Sequence, residues 1–172
     1  LAPSASSGTL DSLPATPLGR PPSPTTAGHP PRRPTMTSRH RGACLCGAIR
    51  FTIEGPLAPI QVCHCGQCRR AQGGPLATNI PVETARLRLE VDGDRLRRYE
   101  ATPGKRRAFC ATCGSPVFSG RDSLPGIVRI RAGLIDEPLA SRPAFHAHVG
   151  SACGWWPIND DLPRHDAGYT PE

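Results

Sequence analysis

Lysine is almost missing from this chain of 172 residues: among its 21 lysines and arginines, only Lys105 is a lysine. Aromatic residues make up 5%, methionine occurs once, at Met36, and no long apolar run is present. Each shortage excludes something. A transmembrane helix needs about 20 apolar residues in a row, and none is found. No secretory leader is visible, because the first thirty residues only scatter Leu10, Leu13 and Leu18 among Pro, Ser and Thr. So few aromatic side chains cannot build a base-stacking platform. The formal charge of +7 and pI near 9.3 therefore do not point to nucleic acid as a partner. The basic groups are also scattered, over Arg86, Arg88, Arg95, Arg97, Arg98 and Lys105 to Arg107. Arginine bias with Ala, Gly and Pro enrichment is what a GC-rich genome yields without selection for binding.

What the chain has in excess is proline and glycine, 21 and 18 residues, against 37% apolar residues and a mean hydropathy of −0.35. Such a composition favours short strands and many turns over helices. Residues 1–38 hold nine of the prolines and almost no large apolar side chain. They cannot bury enough surface to offset their ordering entropy, so a disordered Pro-rich tail is expected. Residue 1 is leucine and Met36 directly precedes the first patterned segment, which places the expected natural start at Met36 and a domain over 39–172. A genuine Pro-rich linker is the alternative. Beyond Arg41, Ile49, Phe51 and Ile53 alternate with Arg50, Thr52 and Glu54, the period of a half-buried strand. Leu87, Leu89 and Val91 alternate likewise up to Asp92-Gly93, which predicts a hairpin. Val117-Phe118, Ile127 to Ile130 and Phe145 to Val149 predict further strands, and Gln67 to Gln72 a short helix ended by Gly73-Gly74-Pro75. The fold class is mainly β.

Seven of the eight cysteines fall in three clusters: Cys44-Leu45-Cys46-Gly47, Cys63-His64-Cys65-Gly66-Gln67-Cys68 and Cys110-Ala111-Thr112-Cys113-Gly114. With sulfurs two or three residues apart and no leader, metal chelation in a reducing cytoplasm is favoured over disulfides. Seven thiolates exceed one tetrahedral zinc, so four on one ion and three on another is the expected division, the first closed and structural, the second open. Spacing allows two pairings. A zinc ribbon would join Cys65 and Cys68 to Cys110 and Cys113. A local site would instead keep Cys63, Cys65 and Cys68 together, with Cys44 and Cys46 joining Cys110 and Cys113; closing one contiguous turn costs little entropy.

These clusters, with Arg69-Arg70, Phe109, Ser115, Ala132-Gly133-Leu134-Ile135-Asp136, His146, Val149-Gly150-Ser151, Trp155 and Asp160-Asp161-Leu162-Pro163, resemble the glutathione-dependent formaldehyde-activating enzyme family, whose domain is shared with centromere protein V. The resemblance covers Gly42 to about Pro163. It implies a zinc-pinned β-tent of small antiparallel sheets and the second pairing. A structural zinc would lie on Cys44, Cys46, Cys110 and Cys113, and a second, catalytic-candidate zinc on Cys63, Cys65 and Cys68. It further implies a carbon–sulfur lyase that joins formaldehyde to glutathione, or cleaves the adduct. The partners would be a glutathione-like thiol and an aldehyde. A non-catalytic zinc-pinned binding module is the alternative. Cys153-Gly154 departs from the family's usual Ala-Pro, and His148 and Trp156 are local variations.

Around the second cluster, Arg69 and Arg70 are candidates to attract substrate carboxylates, beside a reading as solvated surface arginines. His64, flanked by two ligands, is expected to point away from the metal and pack. His146 and His148 are expected to alternate on one strand face, as a proton shuttle or as structural histidines. Trp155, Phe51, Phe109 and Phe118 are expected in the core, and Asp136 in a turn. Cys153 is expected to be a half-buried small residue, the alternative being a fourth, reversible ligand to the second zinc.

Overall fold

The computed structural model describes residues 38–136 and 138–168. The expected tail, apart from Ser38, and the expected start at Met36 lie outside the described residues. In chain order the elements are β1 (Arg39–Ala43), β2 (Ile49–Glu54), β3 (Ile60–Cys63), α1 (Gly66–Gln72), β4 (Ala77–Glu83), β5 (Leu87–Val91) and β6 (Leu96–Thr102). They continue with β7 (Lys105–Cys110), β8 (Pro116–Arg121), β9 (Ile127–Arg131), β10 (Pro143–Ala147) and β11 (Arg164–His165). Three-residue 3-10 turns cover Thr84–Arg86, Ala132–Leu134 and Val149–Ser151. The mainly β expectation holds.

β1, β2 and β5 form a three-stranded antiparallel sheet, and the other eight strands a second sheet in the order β11-β10-β3-β4-β9-β8-β7-β6. The second sheet is larger than expected, and two of its pairings, β3 with β10 and β10 with β11, are parallel. The alternation in β2 drives Ile49, Phe51 and Ile53 fully inward, against Ile80, Val82, Val117, Phe118 and Ile130 of the large sheet. Each such side chain contributes about 1.5–3 kcal/mol of burial free energy. Close approach of the sheets depends on Gly42. A Cβ there would lie 2.3 Å from the Leu134 carbonyl oxygen and 2.4 Å from Phe51 Cζ.

Two expectations are corrected. Asp92-Gly93 does not close a hairpin: β5 pairs with β2, whereas β6 pairs with β7. The turn, with Gly93 at φ +57°, instead carries the chain from one sheet to the other. Local turn chemistry selects the bend. The partner is chosen by apolar matching, Leu89 opposite Phe51 and Leu96 opposite Cys110. Trp155 is not in the core: it is 66% exposed and meets the half-exposed Trp156 edge-on, in a segment outside both sheets. Phe51 and Phe118 are buried as expected, and Phe109 is half-buried. Asp136 is a connecting residue whose amide donates to the Arg41 carbonyl at 2.9 Å, tying the two sheets together.

Candidate metal centres

The first cluster is assembled from two tight turns. Cys44 and Cys46 sit in the turn after β1, closed by Gly47 N–H donating to the Cys44 carbonyl at 2.9 Å, with Gly47 at φ +76°. Cys110 ends β7, and Gly114, at φ +74°, donates to the Cys110 carbonyl at 2.9 Å. Only glycine adopts that left-handed geometry without strain. The four sulfurs lie within 4.8 Å of one another; Cys44 to Cys46 is 3.6 Å and Cys46 to Cys110 is 3.7 Å. Sulfurs about 2.3 Å from a tetrahedral ion stand about 3.8 Å apart, so the spacing fits a thiophilic ion such as zinc and is far too long for disulfides. The Ile49 amide donates to Cys44 Sγ at 3.3 Å. Ser115 braces the two turns, accepting from the Leu45 amide at 3.1 Å and lying 3.3 Å from Cys113 Sγ. Ser115 is the chief cause of a Cys113 thiol lowered to about 5.

The second cluster is local. Cys63 ends β3 and Cys65 caps α1, its sulfur accepting from the Cys68 amide at 3.4 Å. Cys68 is buried in the first turn of that helix, which Gly73 ends in a left-handed conformation. The three sulfurs also lie within 4.8 Å of one another. Hydrogen bonds with Cys63 and Cys65, aided by Arg107, hold Cys68 well below the usual thiol range, and the same sharing pushes Cys63 up. Both clusters could therefore hold a metal ion, and the structure gathers the seven thiols in the second of the two pairings. Cys153 is half-buried and joins neither group.

His64 points away from its neighbours' sulfurs, as expected. It is 1% exposed, and its Nε2 lies 2.8 Å from Nδ1 of His146. His146 Nε2 in turn lies 2.9 Å and 3.1 Å from the two Asp160 oxygens. Burial raises the Asp160 pKa, but the Leu162 amide and His146 outweigh it, leaving the carboxyl below the usual carboxylate range. A carboxylate accepts from His146 Nε2–H, so Nδ1 accepts from His64 Nε2–H. His146 and His148 do not share a strand face. β10 ends at Ala147 and His148 has φ 58°, the only positive value outside glycine among the described residues. That conformation turns His148 into a cleft that His146 does not line.

This cleft comprises a cavity of about 610 Å³ lined by Cys65, Gln67, Lys105, Arg121 and His148, and one of about 210 Å³ lined by Cys63, Cys68, Asn79 and Arg129. Lys105, Arg121 and His148 line both. Arg69 does not serve it, because its guanidinium donates to the His64 and Ser151 carbonyls at 3.2 Å and 3.1 Å. Arg70 is exposed. The cations that do line it were hidden among scattered basic residues; Arg129 looks in sequence like a polar interruption of an apolar strand, and Lys105 like one member of a basic triplet. Burial, followed by Arg121, lowers the Lys105, Arg129 and His148 pKa values, so His148 is neutral at pH 7.

A family model described as glutathione-dependent formaldehyde-activating enzyme matches residues 39–151, which include all seven clustered cysteines. The chain belongs to that family. A Halomonas elongata protein whose name assigns it to the glutathione-dependent formaldehyde-activating enzymes is 30% identical over 146 residues, spanning 76% of this chain and 88% of its own length. The crystal structure of a Rhodobacter sphaeroides protein matches with a TM-score of 0.50 at 24% identity, over 60% of this chain and 99% of that one. That likeness concerns the fold alone.

Proposed function

We propose that this member of the glutathione-dependent formaldehyde-activating enzymes is a zinc-dependent carbon–sulfur lyase that forms or cleaves a thiol–aldehyde adduct such as S-hydroxymethylglutathione. Cys44, Cys46, Cys110 and Cys113 are the ligands of a structural zinc. Cys63, Cys65 and Cys68 would hold a second, catalytic zinc, three protein ligands leaving room for a substrate thiol. The reading is carried by one observation: the three-thiol cluster faces a cleft lined by Lys105, Arg121, Arg129 and His148. A thiol carrying carboxylates suits that lining, with the arginines taking the carboxylates and the sulfur directed at the cysteines. Zinc held by three thiolates would lower the pKa of a thiol beside it, supplying thiolate at neutral pH.

The chain's own groups then have defined tasks. Arg121, Arg129 and Lys105 orient the thiol through its carboxylates. His148, being neutral, can take the thiol proton. Adduct formation makes one carbon–sulfur bond; the carbonyl π pair moves to oxygen, which takes up the proton, and cleavage is the reverse. Free cysteines and a reduced thiol substrate both suit a reducing compartment such as the cytoplasm. Among the described residues no helix is long and apolar enough to cross a membrane. Zinc stoichiometry followed by an assay of formaldehyde consumption with glutathione and other thiols tests the proposal. Two zincs per chain with glutathione-dependent turnover are expected; two zincs without turnover would refute the activity and leave the metal sites standing.

A further inference from the structure

Among the described residues, two buried arginines accompany the three-thiol cluster without an acidic partner. Arg107, in β7, and Arg131, ending β9, are 8% and 2% exposed. Arg107 Nη2 lies 3.8 Å from Cys68 Sγ and 3.4 Å from Gln67 Oε1. Arg131 donates through Nη1 to Asn79 Oδ1, and Asn79 shares a cavity wall with Cys63 and Cys68. Three more guanidinium nitrogens, Arg107 Nη1 and Arg131 Nε and Nη2, are enclosed and have no hydrogen-bond partner among the described residues. None of the ion pairs among the described residues involves either arginine. Burial lowers the Arg131 pKa, and the principal opposing influence is Cys68, followed after Arg107 by Cys63 and Cys65.

A guanidinium does not shed its proton inside a protein. A buried charge without a counter-charge is strongly disfavoured, and among the described residues the anionic groups that act on Arg131 are the cysteine thiolates. The count is informative. Three thiolates bring three negative charges, a divalent ion cancels two, and the single remaining negative charge faces two guanidinium groups. The buried assembly is one negative charge short. An incoming thiolate closes the deficit, whereas water or a thioether does not.

We propose that Arg107 and Arg131 are positioning residues that reserve the open side of the three-cysteine site for an anionic ligand, a substrate thiolate above all. The inference rests on the reading of Cys63, Cys65 and Cys68 as ligands of an ion with an open position. It goes beyond that reading by assigning ligand selection to two residues in the floor of the sheet, distinct from the cleft cations that hold carboxylates. Both arginines are carried by strands of the large sheet, so their charges are fixed before any ligand arrives and need no reorganisation on binding.

The test is ligand binding to the cobalt-substituted protein, read from the cobalt absorption bands, with glutathione and azide as probes. An opposite charge within about 4–6 Å shifts an ionisation by about one to three pKa units, so removing one guanidinium should weaken each anion by about tenfold or more. Arg107→Met and Arg131→Met are expected to show that loss while still holding two cobalt ions per chain. Arg107→Lys and Arg131→Lys, which keep the charge, should recover most of it. Where a methionine variant fails to hold metal, Arg107→Gln, which keeps a polar stem and drops the charge, serves in its place. Unchanged anion affinity in metal-loaded charge-removed variants would overturn the proposal, as would a wild-type protein whose cobalt bands respond to neither anion. A wild-type protein that binds azide but not glutathione, with azide weakened in the variants, would sustain the arginine proposal and sink the glutathione reading.

Discussion

Replacing His146 with alanine removes the middle member of the His64–His146–Asp160 chain and leaves His64 Nε2 enclosed without a partner. His64 is 1% exposed, so water does not take over that bond. An orphaned buried donor costs about 1–3 kcal/mol. The Asp160 end adds little, because that carboxylate is half-exposed and solvent replaces its lost partner. With the packing lost around a ring that is 4% exposed, the total is about 2–4 kcal/mol. For a domain of this size that lowers Tm by about 8–15 °C. The penalty falls on the turn between Cys63 and Cys65, so zinc release to a chelator should become faster in its quick phase only, the slow phase reporting the four-thiol site. His146→Asn is the discriminating control: its amide reaches the position of Nδ1 but not of Nε2, so it should keep the His64 contact and most of the stability. The reasoning is refuted if the alanine variant melts within about 2 °C of the wild type with both release phases unchanged, or if the asparagine variant is as unstable as the alanine variant.

Further outcomes follow from other parts of the molecule. Arg121→Ala or Arg129→Ala should raise KM for glutathione about tenfold each, the size of one charge-assisted hydrogen bond, with little change for an uncharged thiol such as 2-mercaptoethanol in the same assay. Gly42→Ala should destabilise the domain by at least about 1–3 kcal/mol in urea melts, because the new methyl would collide with a backbone oxygen and the Phe51 ring. Cys46→Ser should bind less zinc and lose folding cooperativity. Cys65→Ser should lose one zinc and all turnover while its near-ultraviolet circular dichroism stays close to wild type.

The cysteine clusters and the β2 alternation were legible in the chain because each is a short-range pattern. Two sulfurs two or three residues apart announce a knuckle, and Ile49, Phe51 and Ile53 announce an inward face. What stayed hidden was long-range. Nothing near Asp92-Gly93 records that β5 returns to β2, and nothing near His146 reveals that its partners are His64 and Asp160. The same limit hid the cleft cations. Lys105, Arg121 and Arg129 are separated by strands and turns in sequence, and meet only because β7, β8 and β9 are neighbours in one sheet. His148 was misplaced for a smaller reason: one left-handed residue after a strand end breaks the two-residue alternation on which the expectation rested.

The four-thiol cluster also imposes an order on synthesis. Cys44 and Cys46 emerge early, yet the sulfurs that complete their group come from Cys110, 64 positions after Cys46, and from Cys113. Until that later turn is made, the first pair is an incomplete chelate, open to oxidation and to scavenging by whatever metal is at hand. The three-thiol loop has no such interval, since Cys63, Cys65 and Cys68 arrive together. On a ribosome, therefore, the three-thiol site can be filled while the four-thiol site is still waiting for its far half. On the proposed reading, a shortage of zinc would leave chains whose three-thiol site is filled but whose frame has never closed.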